Sequence, residues 1–194
     1  DSDCSFDKDE RTVTIRNVYV KHISEMVQLT GIDAATADTY AQTIMKMETD
    51  FAGASRKLAD LRDPYANYNS MAVADVNKLC PAINWESFLA DAGIKNIDTI
   101  IVGQPEFFKQ LNTSLTKESV DNWKIYLQWN LINAYADRLS SDFDKEHFHF
   151  YGTILNGTKE QRARWKRVLD AEEDAMGFLL GQLYVEAYYP PEEK

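Results

Sequence analysis

Apolar residues recur at three- and four-residue steps through the first sixty positions and again through the last third of the chain, and this periodicity limits the fold more than any other feature. Between residues 10 and 30, Ile15, Val18, Tyr19, His22, Ile23, Met26 and Leu29 fall on one side of a helix. Gly31 closes that helix and Asp33 caps the next. In the second stripe Tyr40, Ile44, Met47, Phe51, Ala54, Leu58 and Leu61 hold one face of a helix that would run about eight turns from the Asp33 cap. Gly53 is tolerable inside it, and Arg62-Asp63-Pro64 is the expected stop, because a residue before proline is pushed out of helical geometry.

The middle of the chain, residues 65–115, reads as shorter elements. A helix is expected near residues 73–79, a break at Cys80-Pro81, and a helix capped by Asn84 and closed by Gly93. Thr99-Ile100-Ile101-Val102 is β-branched and bounded by Gly103 and Pro105, which makes it a strand candidate. Its partner is either a weak segment of this chain or material outside it. Trp123, Tyr126, Leu127, Leu131 and Tyr135 define a further long helix, and Thr158-x-x-Gln161 predicts a reciprocal cap on the last one, which Pro190-Pro191 ends. No repeat of fixed period is visible. The expected fold is mainly α: a long-helix, bundle-like lobe over residues 1–194, with at most a minor short-strand element.

Charge and composition remove several functions. A net charge of −10 argues against nucleic acid, since binding phosphates requires clustered Lys and Arg, and the basic run at residues 162–167 lies in an amphipathic helix where ion pairing is the plainer reading. No stretch approaches the roughly 18 to 20 continuous apolar residues needed to cross a bilayer. Both ends read as cuts in a longer protein, so targeting signals are not expected to be visible. Cys4 and Cys80 are too few for a disulfide framework or a cysteine zinc site.

The catalytic constellations are also missing. A helical zinc peptidase site needs His-Glu-x-x-His, because a four-residue step puts both imidazoles on one face. The three histidines here, His22, His147 and His149, do not make it. Glu146-His147-Phe148-His149 would bring two rings together only in an extended segment, and residues 142–150 read helical or irregular. A di-iron bundle needs two Glu-x-x-His pairs and the sequence has one, Glu146-x-x-His149; there is also no phosphate-cradling glycine loop and no Gly-x-Ser-x-Gly elbow. Gly177-x-x-x-Gly181 sits in a helix with nearby charges, so close approach of another helix is preferred over membrane dimerisation.

A series of strings then lines up in order. Arg62-Asp63-Pro64 is followed by Tyr68-Asn69-Ser70-Met71, Pro81-x-x-Asn84-Trp85-x-x-Phe88-Leu89, Pro105-x-Phe107, Trp123-x-x-Tyr126-Leu127-x-Trp129 and Phe148-x-Phe150-x-Gly152. Arg164-Trp165-Lys166-Arg167 leads through Gly177 and Gly181 to Leu183-Tyr184-Val185-Glu186 and Pro190-Pro191-Glu192. Together they resemble the N-terminal region of the neprilysin and endothelin-converting-enzyme (M13) zinc metallopeptidases. The lack of the many cysteines of animal members suggests a bacterial relative.

The resemblance implies a two-lobed parent enzyme in which a zinc lobe cuts peptides and a helical lobe limits entry. This chain looks like most of the helical lobe, without the catalytic zinc domain. No catalytic or metal residue carries over, and no cofactor is expected in this fragment, with zinc in the parent. The implied partners are the parent's own catalytic domain and peptide substrates, and the implied location is periplasmic, cell-envelope or extracellular. Asp63 is expected to accept hydrogen bonds from an arginine or from backbone amides, Trp165 to pack on that loop or on a helix, and Gly177 and Gly181 to permit close crossing. The rival is a free-standing helical module that binds peptides or proteins without peptidase activity.

Overall fold

A computed structural model describes residues 9–190. Helix α1 (Glu10–Gln28) starts where the Asp9 carboxylate accepts the N–H groups of Arg11 at 3.0 Å and Thr12 at 3.1 Å. The chain leaves it through Gly31, whose φ of 92° is one that a residue without Cβ adopts freely. Helix α2 (Ala34–Ala54) is capped by Asp33, which accepts from Thr36 N–H at 3.0 Å. The two pack along their stripes, burying Ile23, Met26 and Val27 against Ala37, Ala41 and Ile44. Helix α6 (Val120–Tyr135), capped by Ser119, joins them with Trp129 in the centre. Each fully buried Ile or Met there contributes about 1.5–3 kcal/mol.

Helix α2 is shorter than its apolar stripe predicts. It stops at Ala54, one residue past Gly53, because Ser55 Oγ donates back to the Phe51 carbonyl at 2.9 Å and Arg56 turns away toward another element. Leu58 and Leu61, assigned to the helical face by periodicity, are 57 % and 39 % exposed. The Arg62-Asp63-Pro64 stop therefore follows a single 3-10 turn (Asp60–Arg62) and does not end α2.

A second cluster is built from β1 (Ser70–Ala72), α3 (Val73–Leu79), α4 (Trp85–Asp91), β2 (Thr99–Ile101) and α5 (Pro105–Lys117). The expected strand finds its partner inside the chain: β1 and β2 pair antiparallel with Met71 opposite Ile100. Val76, Cys80, Trp85 and Val102 are buried between the helices and this two-stranded ribbon. Asn84 caps α4 through Ser87 N–H at 3.0 Å, and Gly93 leaves it at φ 78°. Helix α5 was not expected from the sequence. Pro105 opens it at the first turn, where a missing N–H costs nothing.

After a 3-10 turn (Ala136–Arg138), α7 (Ser141–His147) runs straight into a π-helix (Phe148–Leu155). Gly152 lies in that wide turn, and a Cβ there would run into the Phe148 ring. The last helix, α8 (Arg164–Tyr188), begins six residues after the predicted cap. Its N-cap is Ala163 with no side-chain bond, and Gln161 instead donates to Asp144 at 2.8 Å, so a tertiary partner replaces the local one. Helix α8 buries none of its residues, kinks at Met176 (φ −135°, ψ 22°) and ends before Pro190, with Tyr189 extended. Mainly α with a minimal sheet is thus the architecture found. Among the described residues no helix is long and apolar enough to cross a membrane. Cys4, Pro191 and Glu192 lie outside the described residues, and Cys80 is buried and free.

Candidate functional site

The Arg-Asp-Pro loop is held from inside and from outside. Asp63 Oδ1 accepts the backbone N–H groups of Tyr65 at 2.9 Å and Ala66 at 3.2 Å, which makes Asp63 the local cap of the loop. The arginine that grips the loop is Arg56, not Arg62. Its guanidinium donates to the Ala66 carbonyl at 2.7 Å and to Asn67 Oδ1 at 3.0 Å, and its other edge meets Glu106 of α5 at 2.5 Å and 3.2 Å. That arginine holds the Glu106 carboxyl below its usual range. Arg62, Pro64 and Tyr68 are exposed, while Asn69 extends the ribbon by accepting Val102 N–H at 2.9 Å. Asp63→Ala removes two acceptor contacts from an exposed loop, so its thermal midpoint should fall by the equivalent of about 1 kcal/mol, and an unchanged melt would show that Arg56 and the Asn67 amide hold the loop without Asp63.

Two of the tryptophans singled out by sequence are packed where they stand. Trp85 is 8 % exposed, lies against Phe88 and Phe108, and donates its indole N–H to the Cys80 carbonyl at 3.1 Å. Trp123 is half-buried among Phe51 and Tyr126, and its indole N–H reaches the Ser114 carbonyl at 3.4 Å. Trp165 differs: it is 62 % exposed, and the described partner of its ring is Lys166, whose Nζ sits 5.4 Å from the ring centroid. Among the described residues no packing of Trp165 on the Arg-Asp-Pro loop or a neighbouring helix is seen.

The most buried polar group is one that the sequence placed on an apolar stripe. His22 is 1 % exposed and ties α1 to α7 through Nδ1 and Glu146 Oε1 at 2.7 Å. Its ring stacks on Phe150 at 4.8 Å and meets Trp129 and Tyr151 edge-on. Beside it, Glu48 of α2 accepts from Tyr19 Oη at 3.0 Å and from the Trp129 indole at 3.3 Å. Burial pushes the Glu48 carboxyl above its usual range, and these two donors only partly counter it. A raised carboxyl favours the fold below the unfolded value of about 4.3, and that contribution is lost as pH rises through the folded value. Glu48→Gln, which keeps the acceptor oxygen and removes the charge, should therefore melt above the parent at pH 7. The gap should close as the pH falls below about 4, and a constant gap would assign the change to packing.

These contacts answer the Glu146-His147-Phe148-His149 question by geometry. Glu146 is committed to His22, His147 lies against Tyr151 with ring centroids 4.6 Å apart, and His149 is exposed. Burial lowers the His147 pKa, with the neighbouring His22 adding to the effect. Among the described residues no group of three or more His, Cys, Asp or Glu could hold a metal ion. Glu146, His147 and His149 are thus not gathered into one donor set.

Among the described residues α8 is tied by Arg162 with Asp170, just before its first turn, and by one buried ion pair to α7. Asp144, 5 % exposed at the centre of α7, takes both Arg167 nitrogens at 2.8 Å and 2.7 Å, and Gln161 at 2.8 Å. Burial would raise the Asp144 carboxyl, but Arg167 and Gln161 outweigh it and hold it below the usual range. Arg167 was singled out by sequence; Asp144, 23 residues away, was not, and no local pattern marks it. Beyond this anchor α8 is open. Tyr184 touches Tyr188 and Tyr189 alone among the rings and is 58 % exposed, and Gly177 and Gly181 face no crossing helix among the described residues.

Long helices, a minimal ribbon and polar side chains that tie them together define a helical scaffold, and that scaffold has relatives of known shape. It superposes with a TM-score of 0.87 on the zinc metalloprotease 1 of Mycobacterium tuberculosis in its open state, at 29 % identity, covering 97 % of this chain and 30 % of that one. PepO of Lactobacillus rhamnosis shares the fold, with a TM-score of 0.78 at 14 % identity over 99 % of this chain and 30 % of that one. The chain belongs to peptidase family M13, whose N-terminal family model matches residues 1–194. Mouse (Mus musculus) neprilysin is 27 % identical over 189 residues, which are 91 % of this chain and 25 % of neprilysin. Rat (Rattus norvegicus) endothelin-converting enzyme 1 is 26 % identical over 185 residues, 91 % of this chain and 24 % of that enzyme. The chain thus spans about a quarter of the length of the curated relatives it matches.

Proposed function

We propose that this chain is the access-limiting helical lobe of a zinc metalloendopeptidase that cleaves peptides, with the zinc and the catalytic groups carried by the rest of the parent protein. The supporting observation is the match, in family and in shape, to one part of a zinc metalloprotease that is about three times as long. The residues described here add positioning chemistry. Asp144 with Arg167 and His22 with Glu146 are cross-ties between helices, Arg56 with Glu106 ties the Arg-Asp-Pro loop to α5, and such ties make a wall rigid. A rigid wall beside a reactive centre acts by exclusion: flexible peptides pass and folded proteins do not. In this reading the lobe's partners are the parent's catalytic domain and its peptide substrates, residues 1–194 act as a single lobe, and the enzyme works in the periplasm, the cell envelope or outside the cell.

The test has two arms. The 194-residue chain with added zinc should hydrolyse a peptide no faster than buffer, and hydrolysis that survives repurification would overturn the division of labour. The full-length protein should cut an unstructured peptide at least about tenfold faster than the same sequence held in a folded domain. Equal rates would remove exclusion as the role of this lobe, and a full-length protein that cuts neither substrate would leave the helical binding module as the better reading.

A further inference from the structure

We infer that the distal half of α8, residues 177–188, is a core helix of the whole protein, and that its occupant is a helix from the part of the M13 chain lying beyond the matched quarter, seated across Gly177 and Gly181. This deepens the proposed function, on which it rests, by naming where the lobe grips the rest of its own protein.

The exposure of this segment is the first observation. Phe178 is 97 % exposed, Tyr188 73 %, Leu183 62 %, and Leu179 and Tyr184 58 % each. Glu186 is the one charged residue in the run from Ala175 to Tyr188. A helix that is apolar on most of its circumference is a buried helix, not a surface one. The proximal half differs, since Arg164, Lys166, Asp170 and Glu172 keep it wet.

The second observation is that nothing described accounts for the glycines. A Cβ on Gly181 would meet no atom within 4 Å, and one on Gly177 would meet only Glu173 Cγ at 3.9 Å. Neither glycine takes a positive φ. Each costs about 1 kcal/mol relative to Ala in a helix, and their one-turn spacing leaves a strip of bare backbone. Next to it lies an open groove of about 500 Å³ lined by Gly177, Phe178, Gly181, Gln182, Val185 and Glu186. A bare strip beside a groove suits the ridge of a crossing helix.

The choice of occupant follows from length and charge. Relatives that match nearly all of this chain carry about three times as much chain again, so a covering segment is at hand within the same molecule. A segment of the same molecule docks without the translational and rotational loss of association. A second copy would bring up another chain of net charge −10, and the two would repel each other.

Amide hydrogen exchange on the 194-residue chain and on the full-length protein tests this directly. Residues 177–188 should exchange quickly in the short chain and at least a hundredfold more slowly in the full-length protein. Gly181→Leu should leave the melting midpoint of the short chain unchanged or higher and lower that of the full-length protein by about 5 °C. If the full-length variant does not fold, Gly181→Ala gives the same ordering with a smaller shift. Equal exchange in the two proteins, or slow exchange arising only from a concentration-dependent dimer of the short chain, overturns the inference. The gating reading fails separately, through equal cleavage of folded and unstructured substrates.

Discussion

Replacing Arg167 by Met is expected to lower the unfolding free energy by roughly 3 kcal/mol, near the lower end of what breaking a buried pair costs. Asp144 keeps only 8 % of its side chain exposed, so without the guanidinium its carboxylate stays desolvated with Gln161 as its remaining side-chain donor. Arg167 is itself 23 % exposed, which moderates the effect. Urea unfolding would read the change, and protease nicking within residues 156–163 should rise as α8 loses its anchor. The pH dependence supplies a second check. The Asp144 pKa lies below its unfolded value of about 3.9, so the pair's contribution is fully present above that value and disappears as pH falls through the folded one. Wild type and Arg167→Met should therefore converge in stability in acid. A variant with normal stability at pH 7 would show that α8 is fixed by something other than this ion pair.

Trp129→Ala should be as damaging or more so, at about 3–5 kcal/mol. The indole is 1 % exposed, and it packs against Tyr19 and His22 where α1, α2 and α6 meet. Its removal opens a cavity at the junction of three helices, whose backbones cannot all relax inward. It also takes one of two donors from Glu48, a carboxyl already burdened by burial. Trp129→Phe separates the two contributions, since it keeps most of the ring and loses the N–H, and about 1 kcal/mol is expected from that bond alone. Calorimetric midpoints in the order wild type, Phe, Ala would support this account. Equal losses for Phe and Ala would place the whole effect in the hydrogen bond.

Much of the helical frame could be read along the chain. The stripe of α1, the Asp33 and Asn84 caps, the break after Leu79 and the start of the Trp123 helix depend on residues three or four positions apart, and the structure keeps them. The errors occur where distant groups compete with local ones. Periodicity carried α2 on to Leu61, but Arg56 finds Glu106, 50 residues away, and the helix gives way at Gly53 and Ser55. Gln161 left its predicted cap for Asp144. Helix α5 had a legible signal in Pro105 at its first turn, which was read as the boundary of a strand instead. The π-helix had none, because a one-residue widening of the turn leaves the apolar pattern of residues 148–155 looking helical or irregular.

The candidate site follows the same division. The sequence by itself determined that this is a mainly helical chain lacking the spacing of ligands that a zinc peptidase centre needs, because such spacing is a property of one helix turn. Only the tertiary structure decided which polar groups meet: that Arg56 and not Arg62 holds the loop, that His22 in its apolar stripe answers Glu146, and that Asp144 anchors α8. A buried polar group is stable only beside a hydrogen-bonding partner, and the partner is chosen by how helices lie in space, over separations of up to 124 residues that no local pattern records.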